Sequence, residues 1–327
     1  MNEGLDDGTP VIALTGATGF IGAALSEHLV KAGYRVRALY RPRRGRTMPC
    51  ADGLKWIAGD LDDQDALTEL MRGAVAMVHC AGSVRGASRA DFDRVNEQGV
   101  IHVVDAAVRE PACQRFLLIS SLAAREPALS DYAGSKRRGE RALAERAGRL
   151  NWAAIRPPAV YGPGDREMLP LFQGMERGIA AIPGAGDGRF SMIHVADLAS
   201  AVVAWLGART ESGAIYELDD GHARGYDWDT VLGTAAQVLR QGAPIRRLKI
   251  PVAVLRTVAQ VNRLGARLFG YAPMLTPGKV REITHADWVS DSTAFVQATG
   301  WRPVVNFRDG LAQTLGKSPA ALTGLPE

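Results

Sequence analysis

Tyr132 and Lys136 stand four residues apart in the segment YAGSK. In a helix that spacing puts both on one face, so a phenol and an ammonium project into the same space. A tyrosine ordinarily titrates near about pH 10. A fixed positive charge beside it stabilises the phenolate and lowers that value. Such a phenol can give or take a proton at a carbonyl or alcohol oxygen. Upstream, Ser120 and Ser121 close an apolar run that reads as a strand. Open α/β sheets present their ligand contacts at such strand ends, and a hydroxyl there can hold the same oxygen. A Tyr and a Lys at this spacing also occur by accident on surface helices. The pair gains weight only from the elements around it.

The strongest of those is Thr15-Gly16-Ala17-Thr18-Gly19-Phe20-Ile21-Gly22. It follows the apolar run Val11 to Leu14 and precedes a helical pattern from about Ala23 to Ala32. Strand, glycine turn and helix together place a pyrophosphate on a helix N-terminus. Gly16 permits the tight turn, Gly19 lets the backbone approach the phosphates, and Gly22 lets helix and strand pack closely. The pattern points to a nicotinamide dinucleotide, whose oxidised ring adds a second positive charge near the phenol.

The first half of the chain alternates strand and helix patterns. Strands are expected at 11–15, 35–40, 54–58, 75–80, 115–120 and 152–156, with helices at 65–72, 91–109 and 132–148 between them. This alternation predicts α/β architecture: a doubly wound parallel sheet of the Rossmann type with right-handed crossovers. After Arg156, proline and glycine loops interrupt the pattern, and 193–206 and 215–218 read as a return to the sheet. The remainder predicts a smaller, mostly helical C-terminal lobe that would carry the substrate contacts. The domain reading is a disordered lead-in at 1–10, a dinucleotide-binding domain at 11–157 plus about 191–220, and a substrate lobe at about 158–190 plus 221–327.

Hydrophobic residues make up 46% and charged residues 23%, the balance of an ordinary soluble chain. No apolar run approaches the ~20 residues that span a bilayer. The N-terminal MNEGLDDGTP lacks the character of a signal peptide. Cys50, Cys80 and Cys113 have no metal-ligand spacing, so no metal is expected and a reduced, cytoplasmic setting is the simplest reading. A net charge of +4 gives no concentrated basic face for nucleic acid.

Taken together, the motifs resemble the extended short-chain dehydrogenases/reductases, in the branch of NAD(P)-dependent epimerases, dehydratases, 3β-hydroxysteroid dehydrogenases and dihydroflavonol reductases. The matching pieces run in family order: TGATGFIG at 15–22, GDL at 59–61, CAG at 80–82, SS at 120–121, YAGSK at 132–136, RPPAVYGPGD at 156–165 and IHVADLA at 193–199. The resemblance implies that Gly16, Thr18, Gly19, Phe20, Ile21 and Gly22 bind the pyrophosphate and that Asp60 and Leu61 flank the adenine. Ala81 and Gly82 would lie along the cofactor, and Pro157 to Val160 would line the nicotinamide. Tyr132 would be the acid/base, Lys136 its partner and a ribose ligand, and Ser121 the donor to the substrate oxygen. Asn96 and His194–Asp197 read as structural. Related enzymes are often dimers through a four-helix contact, here at about 91–109 and 132–148.

Family members that prefer NAD place an acid about 20 residues beyond the glycines, against the ribose 2′-OH. Here the position holds Tyr40-Arg41-Pro42-Arg43-Arg44. A guanidinium pairs with a 2′-phosphate that a carboxylate would repel. Arg41, with Arg43 or Arg44 in support, therefore favours NADP(H), with NAD(H) as the alternative. Leu122, Ala123 and Ala124 follow Ser121 where sugar dehydratases carry an Asp-Glu pair, which argues against dehydration. Ala159 and Phe190 replace residues that contact sugar nucleotides in the family, which weakens an epimerase reading. The segment Ile250–Gly270 reads as an apolar helix with Arg256, Arg263 and Arg267 on one face. It suits a small apolar carbonyl substrate. It could instead be an ordinary core helix or a contact to an anionic membrane. The leading expectation is an NADP(H)-dependent oxidoreductase. A nucleotide-sugar epimerase with retained NAD(H) and a non-catalytic cofactor-binding sensor stand as alternatives.

Overall fold

β1 (Val11–Thr15) shows how this sequence builds its sheet. Ile12 and Leu14 point to one side and Ala13 to the other, and all three are buried. A strand covered on both faces belongs in the middle of a parallel sheet. The computed structural model, which describes residues 8–42 and 47–317, puts it there. β2 (Arg35–Tyr40) flanks β1 with Val11 opposite Arg35. β4 (Ala74–His79) flanks it on the other side with Thr15 opposite His79. With β3 (Leu54–Ala58), β5 (Arg115–Ile119), β6 (Asn151–Arg156) and a last strand at Ala214–Glu217, the sheet has seven parallel strands. Their order is Ala214–Glu217, β6, β5, β4, β1, β2, β3. The order reverses between β1 and β4, where open sheets of this kind form a ligand crevice.

Helices cover both faces. On one, α1 (Phe20–Lys31) and the helix Val195–Gly207 bury Leu25, Leu29, Leu198 and Trp205 against Ile12, Leu14 and Ile155. On the other, α2 (Gln64–Met71) supplies Leu67 and Leu70 against Ala13, Met77 and Phe116. Each such leucine stabilises the fold by roughly 1.5–3 kcal/mol.

Two sequence expectations change here. The single helix expected over 91–109 is α3 (Arg89–Asp93), a π turn (Arg94–Gln98) and α4 (Gly99–Arg109). The wide turn buries Asn96, which the helical pattern alone did not require. Helix α1 begins at Phe20, three residues before the expected start, because Gly19 is already its N-cap.

Between and after the sheet strands lies a smaller cluster built on Tyr161, Phe172, Tyr226 and Phe307. Three short parallel strand pairs thread through this region, pairing 246–250 with 179–183, 287–288 with 189–190, and 192–194 with 159–161. Trp301 packs with Phe295 against the sheet face that α1 covers. Its indole N–H donates to Ser200 Oγ at 2.8 Å.

Candidate active site

The glycine turn is fixed by contact on every side. Gly16 has a φ of +76°, and a methyl group there would lie 2.6 Å from the Ala81 amide nitrogen. At Gly22 it would lie 2.0 Å from the Gly16 carbonyl oxygen. No side chain caps α1, and its first turn carries no acid. The N-terminal amides thus keep their donors for an anion, and a pyrophosphate fits that cradle.

The crevice between β1 and β4 opens into a cleft of about 1270 Å³. Gly16, Thr18, Gly19, Phe20, Ile21 and Gly22 line it, with Arg41, Asp60, Leu61, Ala81 and Gly82 further along. Ser121, Tyr132, Lys136, Pro157 and Val160 line its far end. Arg41 directly follows β2 and is exposed. Arg43 and Arg44 lie outside the described residues.

Beneath the turn runs a relay that the sequence did not announce. The Ala81 N–H donates to Thr15 Oγ1 at 3.2 Å. Thr15 Oγ1 in turn shares a hydrogen bond of 2.8 Å with His79 Nδ1. Burial, and secondarily the Lys136 charge, push the His79 pKa down to about 3, which keeps the ring neutral.

Tyr132 and Lys136 sit in the first turns of α5 (Asp131–Arg146), which Ser130 caps through the Ala133 amide. The Lys136 ammonium donates to the Ile119 carbonyl at 3.1 Å. A methyl group on Gly82 would come within 3.0 Å of it, so the glycine lets lysine and cleft floor meet. Ser121 Oγ accepts from the Ala123 N–H at 3.2 Å, and its own hydroxyl proton is not used in that bond. Burial pushes the Tyr132 phenol up to about 12, the Ser121 hydrogen bond pulls it down, and the Glu282 carboxylate raises it. The protein's own groups thus hold Tyr132 protonated, and the lowering expected from Lys136 together with an oxidised nicotinamide would act against that burial.

The two serines divide their work. Ser120 donates to buried Glu140 at 2.6 Å, and Arg156 grips the same carboxylate through Nε at 2.8 Å and Nη2 at 2.6 Å. That buried triad spends Ser120 on tying β5, β6 and α5 together. Asn96 accepts from the Ser83 N–H at 2.8 Å and donates to the Ser83 carbonyl and to Ser135 Oγ. It thereby pins the strand-end loop to α5. Distant partners that no motif could reveal also surround the phenol. Lys279 Nζ stands 5.8 Å from the centre of the Tyr132 ring and 2.8 Å from Glu282 Oε2, and Ser130 donates to Glu282. With Val84, Phe92, Arg263 and Met274 these residues line a second cavity of about 80 Å³. Tyr132 and Val84 line both cavities.

The family model for the NAD dependent epimerase/dehydratase family matches residues 12–218. A ceramide reductase of Caulobacter vibrioides is 38% identical over 293 residues, which cover 89% of each chain. A 3beta-hydroxysteroid-dehydrogenase/decarboxylase (isoform 2) of Arabidopsis thaliana is 25% identical, covering 92% of this chain and 61% of its own. The solved structure of MoeE5 with UDP-glucuronic acid and NAD shares the fold at 22% identity and a TM-score of 0.72, covering 94% of this chain and 98% of its own.

Proposed function

The chain belongs to the NAD dependent epimerase/dehydratase family and is an NAD(P)-dependent oxidoreductase of the extended short-chain type, and within it we propose an NADPH-dependent reductase of a carbonyl on an apolar, ceramide-class lipid. One observation carries this reading: Tyr132, its phenol held up by burial, stands with Ser121 and Lys136 in the cofactor-sized cleft and also lines the smaller cavity. The likeness to the ceramide reductase sets the substrate class.

A bound reduced nicotinamide supplies the hydride that the carbonyl carbon accepts. Ser121 orients the carbonyl oxygen, and the Tyr132 hydroxyl gives that oxygen its proton as the C=O bond becomes C–OH. A phenol held up near about 12 stays protonated at neutral pH, which suits the reductive direction. The phenolate left behind regains its proton from solvent, and the Lys136 charge steadies it in the interval. Arg41 faces the adenosine end of the cleft and supports selection of the 2′-phosphate.

Two observations weigh against a sugar-nucleotide substrate. Phe190 packs its ring on Trp228 at 5.4 Å. Arg189 is committed to Asp227 and to the carbonyls of Arg224 and Gly225. Arg189 is thus engaged within the protein, and Phe190 has no polar group to offer a pyrophosphate.

Tyr132→Phe is the test. NADPH oxidation with a ketone substrate should fall by about 10²–10⁴, while NADPH affinity, read by fluorescence titration, stays within about twofold. Full turnover in the variant rules out the phenol as the acid. Turnover of UDP-hexoses by the wild type without added reductant would establish the epimerase instead.

A further inference from the structure

The helix Val252–Phe269 presents a bare apolar face. Val254, Val258, Val261, Leu264 and Leu268 follow one another in steps of four, three, three and four, so they share one side. All five are exposed, Val261 at 67% and Leu268 at 71%, and Phe269 at the C-terminal end reaches 82%. Ala259 and Ala266, seven residues apart, are the buried positions that fasten the helix to the protein. Such a row on a monomer marks an interaction surface.

The charge around this face selects its partner. Arg246, Arg247, Lys249, Arg256, Arg263 and Arg267 lie in or just before the helix, and no Asp or Glu occurs anywhere from Thr230 to Arg281. Among the described residues only Arg247 of the six is ion-paired, with Asp229. A second copy of the chain docking here about a two-fold axis would set this acid-free segment against itself, which like-charge repulsion opposes. An anionic bilayer offers both parts of the match: acyl chains for the valines and leucines, phosphates for the cations. No helix among the described residues is long and apolar enough to cross a membrane, so this one lies on it. The same helix carries Arg263 into the wall of the cavity that Tyr132 shares.

We infer that Val252–Phe269 is an interfacial docking helix that seats the protein on an anionic bilayer, with the Tyr132 cavity opening beside the lipid surface. The docking stands on the helix itself; its purpose, delivery of a lipid carbonyl to Tyr132, rests on the reductase reading.

The experiment is co-sedimentation of the full chain with vesicles of phosphatidylcholine alone and of phosphatidylcholine mixed with phosphatidylglycerol. The wild type should bind the mixed vesicles on the order of tenfold more tightly. Val261→Asp with Leu268→Asp should abolish binding to both, and Arg256→Gln with Arg267→Gln should level the two compositions. Circular dichroism and Tm confirm that the variants fold; Leu264→Gln with Phe269→Gln replaces the aspartate pair if that pair does not. Wild-type protein that ignores both vesicles, or an apolar-face variant that binds as well as wild type, overturns the inference. So does a dimer in sedimentation equilibrium that the apolar-face substitutions dissociate. Wild-type NADPH oxidation with a water-soluble short-chain ketone tests the other reading separately. Binding without turnover retains the docking helix and removes the reductase; turnover without binding does the reverse.

Discussion

The cofactor cleft and the C-terminal helical region are built under different kinds of constraint. In the cleft, backbone meets backbone with no room for a methyl group, as at Gly16 against Ala81 and Gly22 against Gly16. Several buried polar groups there are linked in chains: Ala81 to Thr15 to His79, and Ser120 and Arg156 to Glu140. In the C-terminal region a small aromatic cluster holds the frame, and the outward side of Val252–Phe269 has no partner among the described residues. A site shaped for one rigid dinucleotide fixes residue types at each position. A surface for a fluid, apolar ligand asks only for apolarity and charge. The first leaves motifs in the sequence, whereas the second leaves only composition.

The contrast can be broken most directly at Gly22. In Gly22→Ala the methyl group would sit 2.0 Å from the Gly16 carbonyl oxygen. Overpacking of that kind costs about 1–3 kcal/mol, and the same strain in the turn corresponds to about 10–100-fold in NADPH affinity. Calorimetric titration and a melting curve read both. Wild-type values for each would show that the cleft is no tighter than the lobe.

Arg41→Gln sharpens the comparison inside the cleft. The side chain is exposed, so its contact with a 2′-phosphate is screened, and the loss of NADPH affinity should be roughly tenfold. NADH affinity should not move. An equal loss for both cofactors would remove Arg41 as the selector.

The smallest effect concerns acid. His79 lies buried beneath the glycine turn and His194 borders the cleft, and burial holds their pKa values down, at about 3 and about 4. A folded-state pKa below the unfolded value means the unfolded chain binds the proton more readily. The stability these neutral rings contribute is present above about pH 6.5 and is lost as pH falls through that range toward 3. Tm should decline over this window, and His79→Gln should make the decline shallower. An unchanged slope would mean that the relay under the glycine turn carries no part of the acid response.

Much of the sheet was legible because its signals are local. Residues 11–15, 35–40 and 54–58 read as strands and are strands, since short apolar runs bounded by turn residues admit little else. The cleft residues lie together because strand ends of a doubly wound sheet converge at one edge. Glu140 was not legible as the anchor of Ser120. The two are 20 residues apart in sequence, and only packing joins them. Nor was the burial that pushes the Tyr132 phenol up legible, or the carboxylate of Glu282, 150 positions away, that adds to it. The helix near 250–270 was visible as a helix, but its exposure was not. An apolar stripe has the same spacing whether it faces a core or the outside.

The π turn at Arg94–Gln98 carries a consequence for the phase of its helix. There the Gly99 N–H bonds to the Arg94 carbonyl five residues back, so the turn holds one residue more than an α-helical turn would. The surplus lets the two halves aim at different targets. Upstream, Phe92 leans edge-on toward the Tyr132 ring at 6.1 Å between centres. Downstream, Val100, Val103, Val104 and Ala107 enter the core beside β4 and β5. A chain one residue shorter would bring the halves back into step and turn one of them by about 100°. It would lose either the wall beside the phenol or the seal under the sheet. Residue count in this helix is thus a variable that natural or engineered deletions can reach, and no side chain need change for the site to come apart.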